Sequence, residues 1–140
     1  MKKKVFLFLS LLLWLGVFSA CSSDDDMLSS LCGTWSIIGY GNDQDFHTGD
    51  NIVNTTRLTF YSDGTFDGNI FPNKVSGKYK CDENNFSFIE IFATQLGAVD
   101  PDLQFIDIHI RGVNNYKIMS GSELRLYYDG DNYIKFNKEK

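Results

Sequence analysis

Three cysteines, two histidines and one acidic loop hold most of the chemistry open to this 140-residue chain. Cys21 stands apart from the rest. It follows Ser19-Ala20, and before these come Lys2, Lys3 and Lys4 and an apolar run from Val5 to Phe18. A basic start, an apolar run and small residues ahead of a cysteine make up a bacterial lipoprotein signal, cut just before Cys21 and acylated at its thiol. The apolar run is shorter than the roughly 20 residues that cross a bilayer, so residues 1–20 read as a cleaved signal peptide rather than a membrane span. An ordinary secretory signal ending at Ala20 is the alternative, because Phe18 stands where lipoprotein signals more often carry Leu. The stop at a cysteine favours acylation.

Cys32 and Cys81 are the thiols that remain. Beyond a translocated signal they are free to form a disulfide, and as two separate thiols they would pack as small apolar side chains. No histidine lies near either in sequence to activate it as a nucleophile. His47 and His109 are too few, and stand at the wrong spacing, for a zinc site. Asp43, Asp45, His47 and Asp50 crowd one Gly-rich loop, where oxygens at alternate positions could hold a hard cation such as Ca²⁺. That loop lacks the glycine and closing glutamate of an EF-hand, so a solvated loop is the plainer reading. Asp63, Asp129 and Asp131 sit beside glycines and read as turn residues.

No Ser-centred elbow, paired-carboxylate pattern or phosphate-binding loop opening a helix occurs along the chain. The expectation is a protein that is not an enzyme and carries no cofactor and no metal, with an unrecognised hydrolase as the remote alternative. Charge narrows the partners further. The whole chain has 13 basic and 18 acidic side chains, net −5, and loss of Lys2, Lys3 and Lys4 with the signal leaves about −8. Nucleic acid is therefore not an expected partner, and the negative body argues against flat docking on anionic lipid, which takes a basic patch.

The elements that must position these groups are mostly strands. Residues 21–30 include Ser22, Ser23, Asp24, Asp25 and Asp26, a polar run with nothing to bury and hence a flexible tether. Residues 31–137 form one domain, with 12 Phe and 7 Tyr in the whole chain and many of them at period-two spacing. Trp35 to Tyr40 opens the sheet. Leu58 and Phe60 share one face of a strand that turns at Ser62-Asp63-Gly64 and returns through Phe66 and Ile70. Val75 to Lys80, Phe86 to Phe92, and a last hairpin from Glu123 to Phe136 around Asp129-Gly130-Asp131 complete about seven or eight strands. The expected fold is α+β and strand-dominated, a curved antiparallel sheet or partly open β-barrel with one helix. From Pro101 to Tyr116 the apolar spacing fits strand and helix equally.

Leu31-Cys32-Gly33-Thr34-Trp35, the Leu58-Thr59-Phe60 and Asp63-Gly64-Thr65 hairpin, Gly68-Asn69 with Gly77-Lys78-Tyr79, and the closing Ile106, Ile110, Val113, Tyr116, Ile118, Leu124, Leu126 and Phe136 resemble the META/HslJ-like domains, a lipocalin-like group of small envelope lipoproteins. The resemblance covers about residues 31–136. It implies a curved sheet packed on one helix and places that helix at Pro101 to Val113. The Cys-Asn pair usual in that family is replaced by Ile70-Phe71. For function the resemblance implies envelope proteins tied loosely to stress or antibiotic tolerance, and a similar fold occurs in lipoproteins with a lipid-binding cleft. In some Gram-negative lipoproteins a serine and an acidic cluster just after the lipidated cysteine, as in Ser23 to Asp26, resemble a signal for export to the cell surface.

The resulting expectation is an outer-membrane protein held by lipid at Cys21, exposed on the cell surface if that resemblance holds, that binds an envelope partner or an apolar ligand. Phe60, Phe66, Phe88, Leu124 and Leu126 are the expected lining of a ligand groove, or the filling of a closed core in a purely structural protein. Tyr61, Tyr127, Tyr128 and Tyr133 lie near outer faces, where they could stack on sugars or a partner. Replacing Cys21 with Ala should move the protein from the membrane fraction to the soluble fraction; continued membrane attachment would refute the anchor.

Overall fold

The computed structural model describes residues 30–83, 85–98 and 100–140. The signal, Cys21 and most of the tether lie outside the described residues. Among the described residues, nine strands and one complete helix follow in order: β1 (Gly33–Gly41), β2 (Phe46–Thr48), β3 (Thr56–Phe60), β4 (Thr65–Ile70), β5 (Asn73–Cys81), β6 (Phe86–Ala93), α1 (Pro101–Ile110), β7 (Asn115–Met119), β8 (Glu123–Asp129) and β9 (Asn132–Lys138).

Every ladder is antiparallel, and the strand order β6-β5-β4-β3-β1-β9-β8-β7 curls into a half-barrel, with β2 paired to β1 off that path. Its two edge strands approach at a single bridge between Asn85 and Asn115. The fold is thus the strand-dominated, curved antiparallel sheet with one helix expected from the sequence.

Local chemistry accounts for the elements. In β3, Thr56, Leu58 and Phe60 are buried while Arg57 is exposed, the period-two pattern of a strand with one face on the core. The β3–β4 turn is held by Asp63, whose Oδ1 accepts from the Thr65 backbone N–H at 3.0 Å and the Thr65 hydroxyl at 2.6 Å. Helix α1 starts where Asp100 caps it, Oδ1 accepting from Asp102 N at 2.8 Å and Leu103 N at 3.4 Å, with Pro101 in the first turn. Leu103, Ile106 and Ile110 form its buried stripe. This resolves the two-way periodicity of 101–116: Pro101–Ile110 is helix, and Asn115–Met119 is a strand that the combined pattern concealed.

The interior is aromatic and full. Phe60 meets Tyr79 edge-on at 5.0 Å and Phe86 at 5.7 Å, and Phe88 stands edge-on to Phe66 at 4.8 Å and to Phe86 at 5.0 Å. Such edge-to-face pairs add to the stabilisation from burial alone. Phe60, Phe66, Leu124 and Leu126 are each no more than 3% exposed, and a chamber beside them would leave them open to a water-sized sphere. Of the two readings of these residues, groove lining or closed core, the packing fits the second: they are core, and Phe88 is partly buried and packed against it. Helix α1 lays its apolar stripe into the same cluster, so the side chains that would have walled a groove meet one another instead.

Truncating Phe60 to Ala should cost about 3–5 kcal/mol of unfolding free energy, because four neighbouring rings lose a partner. Ile108→Ala on the exposed side of α1 should stay within about 0.5 kcal/mol. Urea titrations of the two variants would separate them.

Candidate functional site

Two clefts meet at the rim of the half-barrel where β1, the β8–β9 turn and α1 come together. The outer one, about 580 Å³, is lined by Asn42, Asp43, Gln44, Lys117, Tyr127, Asp131, Asn132 and Tyr133. The inner one, about 280 Å³, is lined by Tyr40, Asp45, His47, Phe105, His109, Tyr128 and Asp129, and shares Asn42 and Asn132 with the first. Asn42 Nδ2 donates to Asn132 Oδ1 at 2.9 Å across the shared wall. The two lobes are thus halves of one rim groove divided by an amide bridge.

Each wall follows from local sequence. Asn42 folds the loop after β1 by accepting at Oδ1 from the Gln44 and Asp45 backbone N–H groups, both at 2.9 Å. β2 then returns so close to β1 that a side chain at Gly39 would meet His47 O at 2.2 Å and the Phe46 ring at 2.8 Å. Alternation along β8 sends Tyr127 to the outer lobe and Tyr128 to the inner one, and the register slips just there, between Tyr127 and Asp129.

In the inner lobe four rings stack in a column: His47 on Tyr40 at 5.1 Å, Tyr40 on Phe105 at 4.5 Å, and Phe105 on His109 at 3.9 Å. Tyr128 stands edge-on to His109 at 4.8 Å. Tyr40 donates its hydroxyl to Asp102 Oδ1 at 2.5 Å, and Asn51 Nδ2 donates to Asp102 Oδ2 at 2.8 Å and Asp100 Oδ2 at 3.1 Å. Those donors, Tyr40 first and Asn51 second, hold the Asp102 carboxyl below its ordinary pKa, while burial and then Asp102 push the Tyr40 phenol up.

The outer lobe is organised by Arg125. Its Nε donates to Glu123 at 2.7 Å, an Nη donates to Asp43 at 3.3 Å, and its guanidinium lies 4.5 Å from the Tyr133 ring centre. Tyr133 donates to the same Asp43 oxygen at 2.9 Å, and burial followed by that carboxylate raises its phenol pKa. Lys117 lies 5.7 Å from the Tyr127 ring centre and makes no ion pair among the described residues.

The residues singled out from the sequence are placed as follows. His47 and His109 share the inner lobe, at opposite ends of its ring column. Asp43 and Asp45 border the groove, and Asp45 lies 3.6 Å from His47 Nε2; Asp50 is exposed outside it. Among the described residues, no three His, Cys, Asp or Glu side chains converge as metal ligands. Cys32 and Cys81 are half-buried and not joined in a disulfide. Burial, and then Cys81, pushes the Tyr116 phenol up to about 12. Tyr61 is exposed and donates to Asp67 at 3.0 Å, away from the groove. Tyr133, expected on an outer face, is buried beneath Arg125 and Phe46. Sequence reasoning missed Asn42, Gln44, Asn132, Phe105 and Lys117, although Asn-Asp-Gln after Gly41 and Asp-Asn after Gly130 mark both rim loops.

Because Asp102 has a lowered pKa in the fold, its stabilisation is complete above the ordinary carboxylate pKa of roughly 4 and is lost as pH falls through the folded value. Melting temperatures followed from pH 6 to pH 2 should fall less steeply for Asp102→Asn than for the native protein, from a lower starting value at pH 6. Parallel curves would show that this carboxylate carries no acid sensitivity.

No family model matches the chain, and no curated protein does. Among solved structures it is similar to a DUF4847 family protein from Bacteroides vulgatus, with a TM-score of 0.60 and 19% identity over 84% of this chain and 99% of that one. It is also similar to a protein from Burkholderia xenovorans, with a TM-score of 0.62 and 12% identity over 83% of this chain and 88% of that one. At these identities the likeness is one of fold alone.

Proposed function

We propose that this chain is a lipid-anchored envelope protein of META/HslJ-like type, without catalytic activity, that binds a carbohydrate in the rim groove. The observation that carries the reading is the union of two lobes at Asn42 and Asn132, with aromatic side chains on both sides and amides and carboxylates between them. Sugars present apolar C–H faces and rings of hydroxyls. The first suit Tyr127 and Tyr128, and the second suit planar amides and carboxylates that donate or accept in pairs. An acyl chain would find too many polar groups here, and a phosphate-rich ligand too few cations, since Lys117 is the single ammonium lining either lobe. The outer lobe falls within the roughly 300–1,000 Å³ typical of small-ligand sites.

The packed aromatic interior favours surface recognition over carriage of an apolar ligand within the barrel. The Asp43 oxygen that faces the groove already accepts from Tyr133 and Arg125, which suits a fixed acceptor better than an acid or base that must exchange protons.

The test is titration of the lipidated protein in mild detergent with oligomers of β-glucose, N-acetylglucosamine and galacturonic acid. Saturable binding of at least one is expected. Tyr127→Ala should weaken that binding at least tenfold, since truncating a tyrosine at the centre of a contact costs about 2 kcal/mol or more. Failure of all three probes, or binding indifferent to both Tyr127→Ala and Asn132→Ala, would overturn the reading.

A further inference from the structure

The outer face of β5 and β6 differs from the rest of this acidic protein. Alternation along β5 turns Lys74, Ser76, Lys78 and Lys80 outward while Val75 and Tyr79 point into the core. On β6 the register slips opposite Lys78 and Tyr79, and Ile89 and Phe92 stand 62% and 61% exposed. Phe71, just before β5, and Leu96, just after β6, are 56% and 59% exposed. Leu96 lies to the core side of this face: the buried Asn73 side chain bonds its O at 3.0 Å and its N at 2.7 Å, and Leu96 borders a cleft with Asp107 of α1 and Arg111 at the helix end.

Elsewhere Arg57, Arg111, Arg125 and Lys135 are each tied to a carboxylate. Lys74, Lys78 and Lys80 make no ion pair among the described residues. Two carboxylates lie on the face itself, Glu90, half-buried opposite Lys78 in the ladder, and Asp67, opposite Ser76 and accepting from Tyr61, so the three lysines leave the face with a single positive charge in excess.

We propose that this face rests on an anionic lipid surface, the bilayer that holds the anchor at Cys21, with Phe71, Ile89 and Phe92 entering the headgroup boundary and the three lysines meeting lipid phosphates. The proposal rests on the anchor reading and is independent of the carbohydrate reading. Large apolar side chains beside long, flexible lysines suit a bilayer interface, where the stems lie in the apolar layer and the ammoniums reach the headgroups. Each lysine near an anionic surface raises partitioning about fivefold. The net charge of the whole chain, which argued against flat docking, instead selects the orientation: an anionic bilayer repels the other faces and attracts this one.

The tether permits it. Ten residues from Cys21 to Leu31 reach at most about 36 Å, comparable to the width of a domain whose radius of gyration is about 13 Å. Since β9 lies four places along the sheet from β5, the rim groove is carried away from the bilayer.

The experiment uses the lipidated protein reconstituted into vesicles of brominated phosphatidylcholine, with and without a minority of phosphatidylglycerol. Phe92→Trp reports the docking face and Asn137→Trp, exposed on β9 across the half-barrel, serves as the reference; the signal of buried Trp35 is subtracted. Vesicle flotation reports the anchor separately. The expected result is about twofold or greater quenching of the Phe92→Trp emission in phosphatidylglycerol vesicles, little for Asn137→Trp, and loss of the difference in high salt or in Lys74→Glu/Lys78→Glu. Flotation without selective quenching would overturn the docking face while leaving the anchor intact, whereas protein that fails to float would overturn both. A blue-shifted Phe92→Trp emission that rises with protein density and ignores bromine would assign the face to a second copy, and the proposal would fall.

Discussion

Strand β1 is the constraint on which the remaining structure depends. It pairs with β3 along one edge and β9 along the other, and it also receives β2 near its end. That crowding is possible because Gly39 and Gly41 present no side chains where the β2 backbone and the Phe46 ring come down. The same strand supplies Trp35 and Ile37 to the core and Tyr40 to the rim. Core, sheet closure and groove therefore share one nine-residue segment.

The helix completes what the sheet leaves open. Edge strands β6 and β7 approach at one bridge and do not form a ladder, so the half-barrel would expose apolar interior without α1. Three buried aliphatic side chains on α1 cover it, and Tyr40 joins the helix to the sheet twice, by its ring on Phe105 and its hydroxyl on Asp102. The joint is also the floor of the inner lobe, so the groove inherits the rigidity of the element that closes the core.

Much of this was legible in the residues because period-two burial and Asp-Gly turns are local signals. The β3–β4 and β8–β9 hairpins follow directly from Leu58, Phe60, Phe66 and Ile70 and from Leu124, Leu126, Ile134 and Phe136. The short β2 carries no such signal, because Phe46-His47-Thr48 is half-buried to exposed throughout and pairs only because β1 is bare beside it. Inward-facing Phe60, Phe66 and Phe88 were visible from alternation, but whether they enclose space or fill it depends on sheet curl, which no local window encodes. The groove was illegible for a related reason. Its walls come from residues 40–47, 105–109 and 127–133 with Lys117 of β7, four segments that meet only after β1 and β9 have paired and α1 has docked. Each looks like an ordinary turn, strand or helix face by itself.

The pairing of β1 with β9 joins residues nearly the whole domain apart, Trp35 with Lys138 and Gly41 with Tyr133. The β3–β4, β4–β5 and β5–β6 ladders link neighbours in the chain and can form as soon as their turns exist. The first strand, by contrast, must wait for the last. A chain emerging amino-terminus first cannot complete this sheet until its final residues appear, so tertiary closure comes late and all at once.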